Sequence, residues 1–141
     1  MGSGNIMVLN LIKVNDIAPN GKQPGTIVDL VRASGKDEDN NDYDDIVLTA
    51  ELDATDKSGK KFRLVKRYKL GTGNRGLGTF RSDFKDWSGR KLKDQDLVAF
   101  DADALMKGQR ATFVVKQRKD GKELVAVLDK LLPAPAAAQA Q

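Results

Sequence analysis

The sequence predicts a mainly β domain of the α+β class: a small five-stranded barrel with a helical insert between the third and fourth strands. Three observations carry that expectation. Apolar and polar residues alternate with the two-residue period of half-buried strands along several short stretches. Clusters rich in Gly, Asn and Asp separate those stretches as turns. One stripe of apolar residues at spacings of three and four, the period of a helix face, falls among them. With 141 residues the chain has the usual size of a single domain.

Taken in order, residues 1–23 read as an N-terminal arm. The opening Met1-Gly2-Ser3-Gly4 is neither a basic nor an apolar targeting region and resembles a cloning remnant. Ile6, Val8, Leu9, Leu11, Ile12, Val14 and Ile17 follow, an added strand or a packed segment that ends at Pro19-Asn20-Gly21. The domain is expected over residues 24–133. Its first strand lies within 25–33 and carries Ile27, Val28, Leu30 and Val31, and the polar run 35–45 reads as a loop. Ile46, Leu48, Ala50 and Leu52 mark the inward side of the second strand. After a turn at Asp56-Lys57-Ser58-Gly59, the third strand sets Phe62, Leu64 and Tyr68 against Arg63, Val65, Arg67 and Lys69 on its other side. Leu77, Phe80, Phe84 and Trp87 form the helix stripe, which stops at Ser88-Gly89. Residues 92–106 read as a second short helix or a packed loop. Two strands at 112–118 and 124–132 flank the turn Lys119-Asp120-Gly121, and the Ala- and Pro-rich residues 134–141 are expected to be a disordered tail. Five strands with a helix between the third and fourth is the organisation of the OB-fold, a partly open barrel that often binds oligonucleotides.

Composition narrows the function. The chain has no cysteine and no histidine, which removes thiolate and imidazole catalysis, disulfides and nearly all zinc sites. A binding protein is expected, with no enzyme activity, no cofactor and no metal. No apolar run approaches the ~20 residues of a membrane-spanning helix, so a cytoplasmic protein is expected. The net charge of +4 conceals an asymmetry. Residues 1–60 hold 6 Lys and Arg against 11 Asp and Glu, whereas residues 61–141 hold 18 against 9. A basic half of this kind suits a polyanionic partner.

The candidate site follows from strand parity. Arg63, Arg67 and Lys69 on the third strand and Lys116 and Arg118 on the fourth take the outward register, with Lys61 beside them, and are expected to converge on one groove that tracks phosphates. Tyr43 and Tyr68, with Phe62 third, are the candidates for base stacking in a chain with only 6% aromatic residues. Gly71-Thr72-Gly73-Asn74-Arg75-Gly76 matches the dinucleotide-binding spacing but precedes no βαβ series, so a flexible link is expected there. The run from Asp37 to Asp45 lacks the glycine and glutamate of a calcium loop and reads as a solvated acidic loop.

Residues 60–133 also carry Lys66-Arg67-Tyr68, Arg81-Ser82-Asp83-Phe84-Lys85-Asp86-Trp87-Ser88-Gly89-Arg90, Phe100-Asp101 and Leu105-Met106-Lys107-Gly108. In these elements the chain resembles short phage-encoded OB-fold proteins of the single-stranded DNA-binding type. The resemblance implies a DNA-associated protein of phage or mobile-element origin, acting in replication or recombination in a bacterial host. The expected partner is single-stranded DNA or RNA, DNA favoured, bound with little sequence preference. The alternative is a protein-binding module that docks on a host or replication enzyme through the acidic loop or the arm. Unpaired edges of a small open barrel also make a homodimer conceivable.

Overall fold

The computed structural model describes residues 17–71 and 75–135. Along the chain run β1 (Gly21–Lys36), β2 (Asp42–Thr55), β3 (Lys61–Lys69), α1 (Arg75–Ser88), α2 (Asp94–Val98), α3 (Ala102–Leu105), β4 (Arg110–Asp120) and β5 (Glu123–Leu132). The strands form one antiparallel sheet in the order β3-β2-β1-β4-β5. None of the helices among the described residues is long and apolar enough to cross a membrane.

Alternation builds this sheet. Ile46, Leu48, Ala50 and Leu52 are fully buried on β2, with Ile27 and Leu30 beside them on β1 and Phe113 and Val115 on β4. β1 bends at a register shift between Ile27 and Asp29. Just before the bend, at Gly25, a Cβ would overlap the carbonyl oxygen of Glu51, so the chain passes there only as glycine. α1 lays Phe80 and Phe84 into the core, where the Phe80 ring meets Tyr68 edge-on at 5.0 Å and Phe84 meets Trp87 at 5.8 Å. Trp87 Nε1 donates to the carbonyl of Arg110 at 2.9 Å, tying the end of α1 to the start of β4.

Two boundaries differ from the sequence expectation. The polar run 35–45 is mostly strand: Gly35 pairs with Tyr43 and Lys36 with Asp42, leaving only residues 37–41 as the turn. The Asp37 carboxylate accepts from the backbone N–H groups of Asp39 and Asn41 at 2.9 Å, and Asn40 takes a left-handed φ of 63°. This Asx-type turn closes the hairpin tightly. Cross-strand cations then neutralise the acids, Arg32 on Asp44 at 2.8 Å and Lys36 on Asp42 at 3.0 Å. At the other boundary, β1 begins at Gly21 and pairs it with Val115, so residues 21–23 belong to the sheet rather than to an arm. The Gln117 side chain donates to the Ala18 carbonyl at 2.9 Å, and its N–H donates to Asn20 Oδ1 at 3.2 Å. The rest of the expected arm, residues 1–16, and the tail residues 136–141 lie outside the described residues.

Among the described residues no ladder joins β3 to β5. Their facing edges form a seam that side chains bridge instead. Lys66 lies in the inward register of β3 with Phe62, Leu64 and Tyr68. Its Nζ donates to Asp83 Oδ2 on α1 at 2.7 Å and to the carbonyl of Asp129 on β5 at 2.5 Å. Tyr68 Oη donates to the same Asp83 oxygen at 2.8 Å. A lysine and an aspartate whose side chains are only 16% and 7% exposed persist there because each meets an opposite charge and further hydrogen bonds.

Candidate nucleic-acid interface

The outward side of β3 presents Lys61, Arg63, Val65, Arg67 and Lys69, all exposed. Register carries this row across the sheet. Arg63 faces Glu51, Val65 faces Thr49, Arg67 faces Val47 and Lys69 faces Asp45 on β2, and Val47 in turn faces Val31 on β1. The result is a face with cations along β3 and apolar groups among and beside them, where Val65 on β3 is 59% and Val31 on β1 45% exposed. Single exposed valines on a sheet are ordinary, but Val65 among the β3 cations and Val31 beside Val47 give bases an apolar surface within reach of phosphate-binding groups.

The cations of β3 differ in how they are held. Arg63 makes a 2.9 Å ion pair with Glu51 on open surface. Such a pair contributes only ~0–1 kcal/mol, so a phosphate can displace the carboxylate at little cost. Arg67 bonds the nearly buried carboxylate of Asp45 at 2.8 Å through Nη1. Taking it away would leave a buried anion unpaired, but a guanidinium has five donors and half of this side chain is exposed. Lys61 and Lys69 make no ion pair among the described residues.

The aromatic candidates separate cleanly. Tyr43 is 37% exposed, lies over Gly35 across the β1–β2 pair, and lines a groove of about 720 Å³ with Arg67, Lys69 and Gly71. The other walls of that groove are Asp37, Asn41, Asp42, Asp44 and Asp45, of which Asp42, Asp44 and Asp45 are each already paired with a basic side chain. The two-pronged grip of Arg32 holds Asp44 below the usual carboxylate range, against a smaller opposing effect of burial. Tyr68 is a correction. It is 1% exposed and is a core residue, so its ring offers no stacking platform. Parity explains this, since residue 68 shares the side of Phe62 and Leu64, and burial next to Asp83 drives its phenol pKa far above the ordinary value. Phe62 is half-buried and packs against the core.

Lys116 and Arg118 do not join the β3 row. In the sheet order two strands, β2 and β1, stand between β3 and β4. Gly21, the first residue of β1, already pairs with Val115, so β4 from Lys116 onward runs past β1 together with β5 as an exposed ribbon. Lys116 pairs with Asp129 at 3.2 Å, while Arg118, Lys119 and Lys122 make no ion pair among the described residues. Along the hydrogen-bonded sheet the expected cations thus fall into two groups, one on β3 and one on the β4–β5 ribbon.

Sequence reading passed over Lys66, although a lysine in an apolar parity row signals a buried partner. It also passed over Arg110, which grips Asp53 with both guanidinium nitrogens at 2.7 and 2.5 Å and depresses that carboxyl, with Lys61 assisting. Gly76 accounts for the glycine-rich link: a Cβ there would overlap the carbonyl of Lys69, so this glycine lets α1 start hard against the end of β3. No group of three or more acidic residues among the described residues is arranged to hold a metal ion. No family model matches the chain, and no curated protein compared with it is similar to it.

Proposed function

We propose that the chain is an OB-like domain that binds single-stranded nucleic acid, DNA in preference, with little sequence selectivity, along the outer face of β3, β2 and β1. The observation that carries this reading is the exposed row Lys61, Arg63, Val65, Arg67 and Lys69 with Tyr43 at its end. Alternate residues of a strand are ~6.7 Å apart, so the row supplies a ladder of cations beside an apolar strip. Such a face holds a flexible polyanion by its phosphates and accepts bases by stacking, without reading their edges. The strand order, with β3 and β5 flanking a seam that Lys66 bridges, is in keeping with a five-stranded barrel left partly open. The resemblance to phage-encoded single-stranded DNA-binding-type proteins favours a role in replication or recombination of a phage or mobile element.

Fluorescence anisotropy with labelled oligonucleotides over a range of salt tests the proposal. Binding weakens as salt rises, and the double variant Arg63→Glu/Lys69→Glu lowers the slope of log K against log salt by about 1.4, at ~0.7 for each phosphate no longer neutralised. Absence of binding at low ionic strength, or an unchanged slope in the variant, refutes it. A second reading has one observation in its favour. The turn between β1 and β2 exposes Asp37, Glu38 and Asp39 at one end of the same face, a surface suited to docking on a basic protein.

A further inference from the structure

Among the described residues β1 is paired along both edges only in its first part. On the β4 side the ladder ends at Thr26, and the backbone of Ile27 makes the last bonds, with Gln109 and Gly108 at 2.8 and 2.7 Å. Among the described residues that edge faces no strand from Leu30 to Lys36. Parity shows which groups it offers. The N–H of Asp37 bonds the carbonyl of Asn41, and the unbroken register back to Asp29 makes residues 35, 33, 31 and 29 the ones bonded to β2. The peptide groups of Leu30, Arg32, Ser34 and Lys36 therefore point to the open edge. Leu30 fits this, because among the described residues its N–H donates to the neighbouring Asp29 carboxylate, at 3.0 Å.

Beside this edge lies a groove of about 670 Å³, walled on one side by Val31 and on the other by Val98 and Phe100. Val98 is 87% exposed, the most exposed large apolar residue among those described. Arg32 crosses the groove to bond the carbonyl of Leu97 at 2.7 Å and holds that far wall in place. An unpaired strand edge next to apolar walls is the geometry of β-strand addition.

We infer that this edge receives residues 6–14 of a second copy of the chain. The segment Ile6-Met7-Val8-Leu9-Asn10-Leu11-Ile12-Lys13-Val14 is apolar in both strand parities, as a strand needs when one side packs on Val98 and Phe100 and the other lies beside Val31 and Ala33. Its nine residues cover the seven of the open edge from Leu30 to Lys36. Reach decides between the same molecule and another. The chain is anchored at Ala18 and Asn20 against Gln117, below the start of β1, and Asp29 lies eight residues up that strand, ~26 Å away. Residues 15–17 span at most ~11 Å and residues 6–14 at most ~30 Å more, whereas Lys36 lies ~50 Å up the strand, so within one molecule the segment covers only the nearer part of the edge. A copy in trans meets no such limit. The contact is head-to-tail, so copies can add in series, which would line up successive β3 faces for a long strand of nucleic acid.

The test is the mass of the full chain and of variants by light scattering and sedimentation, without nucleic acid, so that it stands apart from the binding reading. The full chain forms concentration-dependent oligomers. Removal of residues 1–16 gives monomers, and a synthetic peptide of residues 5–15 binds the truncated chain. Ser34→Pro also gives monomers, because it removes an N–H directed at the open edge and none from the ladder with β2. Thermal melting verifies that each variant is folded, and Val98→Glu serves as the second edge variant if Ser34→Pro is not. A monomeric full chain at all concentrations overturns the inference, as do oligomers that survive both the truncation and the edge variants.

Discussion

Asp83→Ala leaves two buried donors without their acceptor, the Lys66 ammonium and the Tyr68 hydroxyl. The lysine keeps only the carbonyl of Asp129, and the phenol, 1% exposed, keeps nothing. Breaking a buried pair by removing one partner costs about 3–5 kcal/mol, and the orphaned hydroxyl adds to the upper part of that range. The remaining exposure of the Lys66 side chain, 16%, lets water reach the ammonium and favours the lower part, about 3–4 kcal/mol. For a domain of this size that corresponds to a fall in Tm of about 10–20 °C. Calorimetry and urea titration measure it. The reasoning also requires a partial reversal: Lys66→Met/Asp83→Leu, which removes both charges and fills the space with apolar groups, recovers part of the loss, the Tyr68 hydroxyl still lacking its acceptor. An Asp83→Ala variant within about 1 kcal/mol of the parent, or a double variant no more stable than the single one, refutes the claim that this network holds the β3–β5 seam.

Two glycines of α1 provide a matched pair. Gly76→Ala forces a methyl against the Lys69 carbonyl and destabilises by more than about 1 kcal/mol, whereas Gly78→Ala meets open space and stabilises by about 0.5–1 kcal/mol, both read from denaturant midpoints. Tyr43→Ala weakens oligonucleotide binding by about 1–3 kcal/mol, roughly 5- to 150-fold in Kd, with little change in Tm, and an unchanged Kd removes Tyr43 from the site. Arg110 and Arg32 depress the carboxyls of Asp53 and Asp44 below their ordinary value of 3.8. The unfolded chain thus binds more protons in acid, and the stability these pairs contribute is complete above pH 3.8 and lost as pH falls through the lower folded values. Asp53→Asn flattens this acid limb in melts taken across that range, and a limb as steep as the parent's contradicts the assignment.

Much of this arrangement is written locally. The alternation at Ile46, Leu48, Ala50 and Leu52 and the opposed sides of residues 62–69 state which way side chains point, because a strand turns each successive residue to the opposite face wherever it lies. The helix stripe from Leu77 to Trp87 is legible for the same reason. The basic row of β3 follows from parity alone, and so does the burial of Tyr68, which parity sets beside Phe62 and Leu64 even though its place at the end of a basic strand suggests stacking.

What a side chain points at is another matter. Lys66 finds Asp83 and Asp129, 17 and 63 residues away, and no local pattern couples those positions. The acid-rich residues 42–45 read as loop because carboxylates disfavour strands, yet Arg32 and Lys36 neutralise two of them across the hairpin and the strand continues. Lys116 and Arg118 have the same outward parity as Arg63 and Arg67, but the sheet order sets two strands between them. Period and propensity belong to neighbouring residues and can be counted along the chain. Strand order and charge partners exist only once distant segments pack, and the tertiary structure decides them.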